Sequence, residues 1–289
     1  MKSGPVPVIF TDLDGTLLDH HDYSFDAARE VLLRLGQAQV PLVLCSSKTR
    51  LEIEGIQKQL QSFHPFVAEN GAAVFVPKGY FPFTVPGARE RAGHFVLEYG
   101  RPHHEVIDLL RRTAAAVNVP VVGFSDMSVG EVAASCGLSL LDARLAKLRE
   151  YDEPFRVPGS DPASRDRLLR ALQRAGLHCA SGGRFDHVSG RADKGLAVAA
   201  LRDLYRRAFR SVVTVGLGDG PNDVSLLRAV DIPVIVLSPA ADVSAQLIRR
   251  VPTARVTLER GPAGWAEAVG PILTELGIGP VGLRLAASQ

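Results

Sequence analysis

The stretch Val8-Ile9-Phe10-Thr11-Asp12-Leu13-Asp14-Gly15-Thr16 decides the fold. Its apolar first half is typical of a buried strand, and two aspartates spaced i and i+2 follow. Because side chains alternate along an extended backbone, Asp12 and Asp14 are expected to leave the strand on the same side. Two carboxylates placed together are costly unless a cation joins them. The stretch therefore predicts a cation site at the end of a buried strand, and Mg²⁺, which binds carboxylates, water and phosphate, suits it.

The composition limits the class of protein. The chain has 289 residues, of which 46% are hydrophobic and 22% are charged, as in ordinary globular proteins. This length suits one large domain or two modest ones. The net charge of +2, with no polybasic block, argues against a nucleic-acid partner. We therefore expect the important cationic side chains to serve a small anionic ligand.

Cysteine usage and hydropathy bear on the compartment. The cysteines, Cys45, Cys136 and Cys179, are scattered and lack the spacing of metal ligands, so reduced thiols are expected. The N-terminus lacks a signal-peptide pattern, and no apolar run of the sequence approaches the length of a membrane span. These features predict a cytoplasmic protein with no membrane partner. No feature of the sequence indicates an oligomeric state.

Predicted strands and helices alternate in both flanks of the chain. In the first flank, strand-like segments at 42–45 and 66–68 enclose a helical pattern. In the second flank, a helical pattern over 194–205 leads to strand-like segments at 212–215 and 232–237. Such alternation predicts the α/β class, with a doubly wound, Rossmann-like parallel sheet and helices on both of its faces.

The middle of the chain interrupts this alternation. Residues 77–102 are rich in glycine, proline and aromatic residues, and the segment after them mixes helical and strand-like pieces. About 100 residues are enough for a separate hydrophobic core. We therefore expect an α+β domain over 85–188, inserted between a first core segment (1–84) and a second core segment (189–289).

Polar residues follow several predicted strands or open the helices after them. Ser46 follows the second strand, and Lys194 opens a helix. Asp219, Asn222 and Asp223 lie together in a glycine-rich turn after a later strand. In open α/β sheets this edge binds ligands, and the free N–H groups of a helix N-terminus suit an anion. Each residue has an ordinary alternative as a helix cap, a solvated side chain or a turn former, but their joint occurrence in this order favours a phosphate and metal site.

These ordered motifs resemble those of the haloacid dehalogenase superfamily of aspartate-nucleophile phosphotransferases. The resemblance rests on four motifs in this order: Asp12-Leu13-Asp14-Gly15-Thr16, Ser46, Lys194 and Gly218-Asp219-Gly220-Pro221-Asn222-Asp223. The insertion lies between the second and third motifs, as the type-II cap of that superfamily does. The resemblance implies a phosphatase with a Rossmann-like core and a cap that closes over its site.

The resemblance also implies catalytic roles for four residues. Asp12 would attack phosphorus and carry the phosphoryl group. Asp14 would protonate the departing alkoxide and then activate the water that attacks the aspartyl-phosphate. Ser46 and Lys194 would hold the non-bridging oxygens of the phosphate.

A magnesium site is implied in the same way. Mg²⁺ would be held by the carboxylates of Asp12 and Asp219 and by the backbone carbonyl of Asp14. It would neutralise charge, so that an anionic nucleophile can approach an anionic phosphate. Asn222 and Asp223 would support these metal ligands rather than bind the ion themselves.

A narrower resemblance is to the mannosyl-3-phosphoglycerate phosphatase family. It rests on segments spread over nearly the whole chain: Cys45-Ser46-Ser47-Lys48-Thr49-Arg50, Glu69-Asn70-Gly71, Asp152-Glu153-Pro154-Phe155, Gly182-Gly183-Arg184-Phe185, Asp193-Lys194-Gly195 and Gly261-Pro262-Ala263-Gly264-Trp265. It implies hydrolysis of mannosyl-3-phosphoglycerate to phosphate and mannosylglycerate, a compatible solute. The alternatives are glucosyl-3-phosphoglycerate as substrate, a general sugar-phosphate phosphatase, a sugar phosphomutase that uses the same aspartyl-phosphate, and a catalytically silent sugar-phosphate sensor.

Substrate contacts are expected in the insertion and in the loops that face it. A phosphorylated glycoside of this kind is a small molecule that carries a carboxylate and sugar hydroxyls beside its phosphate. Arg184 suits the carboxylate because of its planar guanidinium, although it could also be a surface arginine in a glycine-rich turn. Ser47, Lys48 and Asn70 are candidates for further polar contacts with the substrate.

Overall fold

The computed structural model describes residues 4–159, 162–181, 185–190 and 193–279. Short 3-10 helices cover Asp26–Ala28, Glu69–Gly71 and Pro221–Asp223. In chain order, the strands and α-helices of these ranges are β1 (Val6–Thr11), α1 (Arg29–Ala38), β2 (Leu42–Leu44), α2 (Arg50–Leu60), β3 (Phe66–Ala68), β4 (Ala73–Pro77), β5 (Arg89–Arg91), β6 (His94–Glu98), α3 (His103–Ala116), β7 (Val122–Gly123), α4 (Val129–Cys136), α5 (Leu140–Ala146), β8 (Asp152–Arg156), α6 (Pro162–Arg174), β9 (His178–Ser181), β10 (Asp186–Ser189), α7 (Lys194–Ala208), β11 (Val212–Gly218), α8 (Val224–Arg228), β12 (Ile232–Leu237), α9 (Ala241–Arg250), β13 (Arg255–Arg260) and α10 (Gly261–Glu275).

The core of the molecule is a five-stranded parallel sheet in the order β13-β12-β11-β1-β2. Strand β1 lies inside the sheet, where its residue Thr11 is in register with Leu217 of β11 and with Leu44 of β2. The carboxyl ends of these three strands therefore meet at one edge. The predicted α/β class with a doubly wound parallel sheet is confirmed.

Helices cover both faces of this sheet because the side chains of β1 alternate between two apolar clusters. Ile9 packs in a cluster that includes Trp265 of α10. Val8 and Phe10 pack in a second cluster that includes Tyr205 of α7. Burial on both faces explains why β1 is a continuous apolar run in the sequence.

An antiparallel sheet in the order β3-β4-β6-β5 continues the core beside β2. A bridge between Cys45 and Val67 joins the two sheets, and the rings of Phe66 and Phe75 stack at 4.9 Å between centroids. The hairpin of β5 and β6 therefore packs with the core. The sequence predicts that the insertion begins at residue 85. We propose instead that it begins after Gly100.

The insertion is an α+β domain built on an antiparallel sheet in the order β7-β8-β10-β9. One cluster packs helices α3 and α6 on this sheet through Val106, Leu168 and Phe155. Helices α4 and α5 belong to a separate cluster with Phe124 and Phe185. The connections to the core run side by side, since a Cβ on Gly190 would lie 2.6 Å from the backbone nitrogen of Arg101.

Within the part of the chain that the structure describes, no helix combines the length and the apolar character needed to cross a membrane.

Candidate active site

Asp12 lies at the carboxyl end of β1, and its side chain is largely buried. Its backbone N–H donates to the carbonyl of Leu217 at 2.9 Å, which extends the pairing of β1 with β11 by one residue. After Asp12 the chain turns at Gly15, which has a φ of +77°. A Cβ on Gly15 would lie 2.6 Å from Oδ2 of Asp219, so the two loops touch here. Asp12, which follows β1, and Asp219, which follows β11, therefore lie close together.

Lys194 is the first residue of α7, and its ammonium group lies between two carboxylates. Its Nζ is 2.6 Å from Oδ1 of Asp12 and 2.6 Å from Oδ1 of Asp223. The helix begins at this point because the Asp193 side chain accepts a hydrogen bond from the N–H of Leu196. Burial lowers the pKa of Lys194, but the two carboxylates outweigh this effect and raise the pKa above its usual value. Lys194 is therefore a fixed cation.

Carboxylate oxygens of Asp12, Asp219 and Asp223 all lie within 4.8 Å of one another. Both oxygens of Asp223 are occupied, since Oδ1 faces Lys194 and Oδ2 accepts the N–H groups of Asp219 and Gly220 at 3.2 and 3.0 Å. Oδ1 of Asp219 accepts from Oγ1 of Thr16 at 2.9 Å. In the described part of the chain, the second oxygens of Asp12 and Asp219 accept no hydrogen bond and are the best placed of the group to bind a cation.

The charges of this group fit a divalent cation. Burial and the carboxylates of Asp223 and Asp219 raise the pKa of Asp12 well above its usual value, although Lys194 opposes this shift. Burial and Asp223 raise the pKa of Asp219 to about 7. A cation beside these groups would offset both shifts by favouring the ionised carboxylates, and oxygen donors alone suit a hard ion such as Mg²⁺. The donor set therefore fits the metal that the sequence motifs imply.

The carboxylate of Asp14 does not belong to this group. Its Oδ1 lies 2.8 Å from Nζ of Lys48, and the side chain is 34% exposed. Lys48 also lies 4.8 Å from the ring centre of Tyr23. Burial lowers the pKa of Lys48, but Asp14 and Glu52 outweigh burial and raise it. Because β1 ends at Thr11, strand alternation does not extend to Asp14, and the Asp14 carboxylate contacts Lys48 rather than joining the group of Asp12, Asp219 and Asp223.

The remaining predicted residues lie in two neighbouring loops. Ser46 is buried directly after β2, where its Oγ accepts the N–H of Lys48 at 3.2 Å and its carbonyl accepts the N–H of Asn70 at 2.9 Å. Oδ1 of Asn70 accepts from Nδ2 of Asn222 at 3.2 Å, which ties this loop to the turn after β11. Arg184 lies outside the described residues.

A cleft of about 410 Å³ separates this edge of the sheet from the inserted domain. Asp14, Ser47 and Lys48 line it from the core, while Phe124, Arg149 and Phe185 line it from the insertion. The remaining lining residues are His20, His21, Tyr23, Glu52, Cys136, Gly137, Leu138, Ala146, Pro154 and His187. A small molecule in this cleft would contact both domains.

Comparison with known proteins identifies the family. Residues 9–81 match a family model described as haloacid dehalogenase-like hydrolase. The chain is 40% identical to a protein from Methanococcoides burtonii named glucosyl-3-phosphoglycerate/mannosyl-3-phosphoglycerate phosphatase, over 91% of this chain and 95% of that relative. It is 35% identical to a mannosyl-3-phosphoglycerate phosphatase from Pyrococcus furiosus, over 80% of this chain and 91% of that relative. The chain belongs to the haloacid dehalogenase-like hydrolases. The prediction that it is an enzyme of the phosphatase class is confirmed.

Solved structures of other haloacid dehalogenase-like hydrolases share the fold. One from Bacteroides thetaiotaomicron superposes with a TM-score of 0.63 and 16% identity, covering 92% of this chain and 99% of the other. The sucrose-phosphatase of Synechocystis, solved with sucrose and phosphate, superposes with a TM-score of 0.62 and 15% identity, covering 94% and 98% of the two chains. Both superpositions extend over the insertion as well as the core.

Two functional candidates of this hydrolase, Glu69 and Arg149, were not predicted from the sequence. Glu69 is buried, and its carboxylate accepts the N–H groups of Glu150, Tyr151 and Asp152 at 2.8 to 2.9 Å, which fixes the start of β8 to the core. Its segment, Glu69-Asn70-Gly71, contributes to the family resemblance, but nothing in the sequence marks its carboxylate as a buried acceptor. Arg149 lies in a run of charged residues with no periodicity, so no local signal sets it apart from a surface arginine.

Proposed function

We propose that this protein hydrolyses mannosyl-3-phosphoglycerate to mannosylglycerate and phosphate, with glucosyl-3-phosphoglycerate as a second substrate. One observation carries the proposal: the 40% identity to a relative named for both substrates extends over 262 residues, so it includes the insertion that lines the cleft as well as the catalytic edge. Only the orientation of a hydroxyl separates the two sugars. The product mannosylglycerate would serve as a compatible solute.

Asp12 is the proposed nucleophile. Lys194 donates to its Oδ1 and favours the ionised carboxylate, one oxygen of which attacks phosphorus. The new bond joins this oxygen to phosphorus as the bond from phosphorus to the glycerate oxygen breaks. Lys194 and Ser46 then lie beside the phosphoryl group, where the ammonium and hydroxyl can bind its non-bridging oxygens.

Asp14 is the proposed general acid and base. Its carboxyl group faces the cleft, where it can protonate the glycerate oxygen as that oxygen departs. In the second half of the reaction, the same group takes a proton from the water that attacks the aspartyl-phosphate. The new bond joins the water oxygen to phosphorus as the bond from phosphorus to the Asp12 oxygen breaks, which releases phosphate and restores the Asp12 carboxylate. The contact with Lys48 fixes the position of the carboxyl group through both steps.

Mg²⁺ is the proposed cofactor. Asp12 and Asp219 would hold it through their carboxylates, and Asp14 through its backbone carbonyl. When bound, the ion supplies positive charge that offsets the repulsion between the anionic nucleophile and the phosphate. Asn222 and Asp223 would support this arrangement, since Asn222 binds Asn70 and Asp223 binds Lys194.

The other end of the substrate would lie in the cleft between the domains. We propose polar contacts from Ser47, Lys48, Asn70 and Arg184, and the apolar walls at Phe124 and Phe185 suit the faces of a sugar ring. We also infer that the enzyme works in the cytoplasm. No disulfide joins its cysteines, all of which lie in the described ranges.

The substrate proposal is tested by measuring phosphate release from purified protein with Mg²⁺. The panel is mannosyl-3-phosphoglycerate, glucosyl-3-phosphoglycerate, mannose 6-phosphate and sucrose 6-phosphate. We expect both glycosylated phosphoglycerates to exceed the sugar phosphates in kcat/KM. Equal values across the panel would indicate a general sugar-phosphate phosphatase. An isomerised sugar phosphate without free phosphate would indicate a phosphomutase.

Chelation by EDTA should stop phosphate release, and added Mg²⁺ should restore it.

Replacement of the nucleophile tests the mechanism. Asp12→Asn should lower kcat by roughly 10³-fold or more, because an amide cannot form the aspartyl-phosphate. Asp108→Asn, at an exposed position of α3, is the matched control and should retain full activity. A rate for Asp12→Asn close to that of the control would remove Asp12 from this role.

A further inference from the structure

Arg149 is a cation in the cleft that the phosphate chemistry leaves without a role. It lies between α5 and β8, its side chain is only 6% exposed, and it lines the same cleft as Asp14 and Lys48. A buried guanidinium is costly unless its N–H groups find acceptors. Any N–H group of Arg149 that lacks an acceptor in the protein is therefore a candidate for binding a ligand.

One edge of the guanidinium is occupied, and the other has no hydrogen-bond partner within the described ranges. Nη1 donates to Oδ1 of Asp152 at 2.6 Å and to the carbonyl of Ser47 at 3.1 Å. Nε is buried but donates to no acceptor in the described ranges. All hydrogen bonds of this side chain within those ranges leave from Nη1. The edge formed by Nε and Nη2 is the one that can hold a carboxylate through two parallel bonds.

Asp152 fixes the orientation of Arg149. Its carboxylate is fully buried and also binds Nδ1 of His187 at 2.9 Å. Burial alone would raise the pKa of Asp152, but His187 and Arg149 outweigh it and hold the pKa below its usual value. The guanidinium is thus positioned before any ligand arrives, and such preorganisation favours specific binding.

Arg149 is also close to the reaction centre. The Ser47 carbonyl that it binds belongs to the loop between Ser46, the proposed phosphate ligand, and Lys48. Lys48 in turn lies 2.8 Å from Asp14, so the loop that Arg149 binds also holds the proposed general acid. A short molecule with its phosphate at Asp12 can therefore place a second anionic group at Arg149.

We propose that Arg149 is a specificity-determining residue that binds the carboxylate of a phosphoglycerate through its Nε and Nη2 edge. This inference rests on the proposed function for the identity of the phosphate ester. It adds the group that distinguishes a phosphoglycerate from a plain sugar phosphate. Arg184 is the residue that the sequence predicts for this role, and mutagenesis separates the two assignments.

The test compares two ligands that differ at one group. Binding of D-3-phosphoglycerate and of glycerol 3-phosphate, which lacks the carboxylate, is measured by calorimetry with Mg²⁺. We expect the wild-type protein to prefer D-3-phosphoglycerate by about tenfold or more. Arg149→Met should lose this preference, and Arg149→Lys should retain only part of it, because an ammonium group lacks the planar fork. Arg144→Met, at an exposed arginine of α5, should keep the full preference.

Several outcomes would overturn the inference. These are no preference in the wild-type protein, a preference that survives in Arg149→Met, or a preference lost in Arg184→Met but not in Arg149→Met. If Arg149→Met does not fold, Arg149→Lys decides, because it keeps a cation beside Asp152; an undiminished preference there contradicts the proposal. Failure of the proposed function is distinguishable, since phosphate release from glycosylated phosphoglycerates would be absent while the preference still depended on Arg149.

Discussion

Gly15 combines two local requirements of the candidate site. Its φ of +77° lies in the left-handed region, where a Cβ is strained, and a Cβ there would also lie 2.6 Å from Oδ2 of Asp219. Gly79 has a similar φ of +78°, but its Cβ would meet no atom within 4 Å. The two glycines therefore share the backbone strain, and Gly15 has the contact with Asp219 in addition.

Alanine at these two positions should separate stability from activity. Gly15→Ala and Gly79→Ala should each lower the free energy of unfolding by about 1 kcal/mol, since both force alanine into a left-handed conformation. Gly15→Ala should also lower kcat/KM by at least about tenfold, because Asp219 must move. Urea unfolding and phosphate release measure the two effects. Equal activity of both variants would contradict the inferred role of the contact.

Some residues of the site were predictable from the sequence, and others were not. The sequence motifs selected Asp12, Lys194 and Asp223, and these side chains meet in the structure. The partner of Asp14 was not predicted, because the backbone turns after β1 and no local pattern specifies that Lys48 faces it. Arg149 gave no signal at all, since burial of an arginine depends on what surrounds it in three dimensions.

Two helices begin with the same capping arrangement in different surroundings. At the start of α2, Thr49 Oγ1 accepts the N–H of Glu52. Its hydroxyl proton is shared between Oε2 of Glu52 at 2.9 Å and the carbonyl of Leu145 in α5 at 3.1 Å. At the start of α4, Ser128 accepts the N–H of Glu131 at an exposed position. Thr49 therefore links the core to the insertion, whereas Ser128 caps its helix alone.

The pair gives a prediction at the scale of elements. Thr49→Ala and Ser128→Ala should each lower the free energy of unfolding by about 1 kcal/mol through loss of the cap. Thr49→Ala should in addition raise KM several-fold, because α2 and α5 bound the cleft and lose a direct hydrogen bond. Thr49→Ser keeps the hydroxyl and should restore KM. An increase in KM in Ser128→Ala of the same size would show that the effect is not specific to this contact.

Elements were predictable where the pattern is local. Strand β1 is buried on both faces and reads as an apolar run, which is why it was identified from the sequence. Strand β5 consists of Arg89, Glu90 and Arg91, which are all exposed, so no hydrophobic alternation marks it. Its pairing with β6 depends on contacts in the folded sheet, which the sequence pattern does not specify.

At the scale of the whole molecule, Glu69 joins the two domains. Its carboxylate is buried and accepts the three N–H groups at the start of β8. Burial raises its pKa to about 7, although Arg149 and these N–H groups oppose the shift. The folded protein therefore binds a proton at Glu69 up to a higher pH than the unfolded chain does.

This shift predicts how stability depends on pH. The stabilisation from the Glu69 proton is fully present below pH 4.5 and is lost as the pH rises through about 7. Over this window the free energy of unfolding should fall by roughly 3 kcal/mol on account of Glu69, and Glu69→Gln should lack this part of the slope. Urea unfolding at several pH values measures the slopes. The exposed Glu30→Gln is the control, and its free energy of unfolding should depend on pH as that of the wild-type protein does. The same pH dependence in Glu69→Gln would contradict the assignment to Glu69.

The sequence by itself determined the α/β core, the order of the chemistry-bearing loops and the presence of an insertion, because strand periodicity and turn-forming residues act over a few positions. Only the tertiary structure decided which charged side chains form ion pairs. Lys194 and Asp12 are 182 positions apart, and their contact exists because parallel strands align at one edge. The positions of Arg149 and Glu69 were likewise decided by the packing of one domain on another, which sequence spacing does not encode.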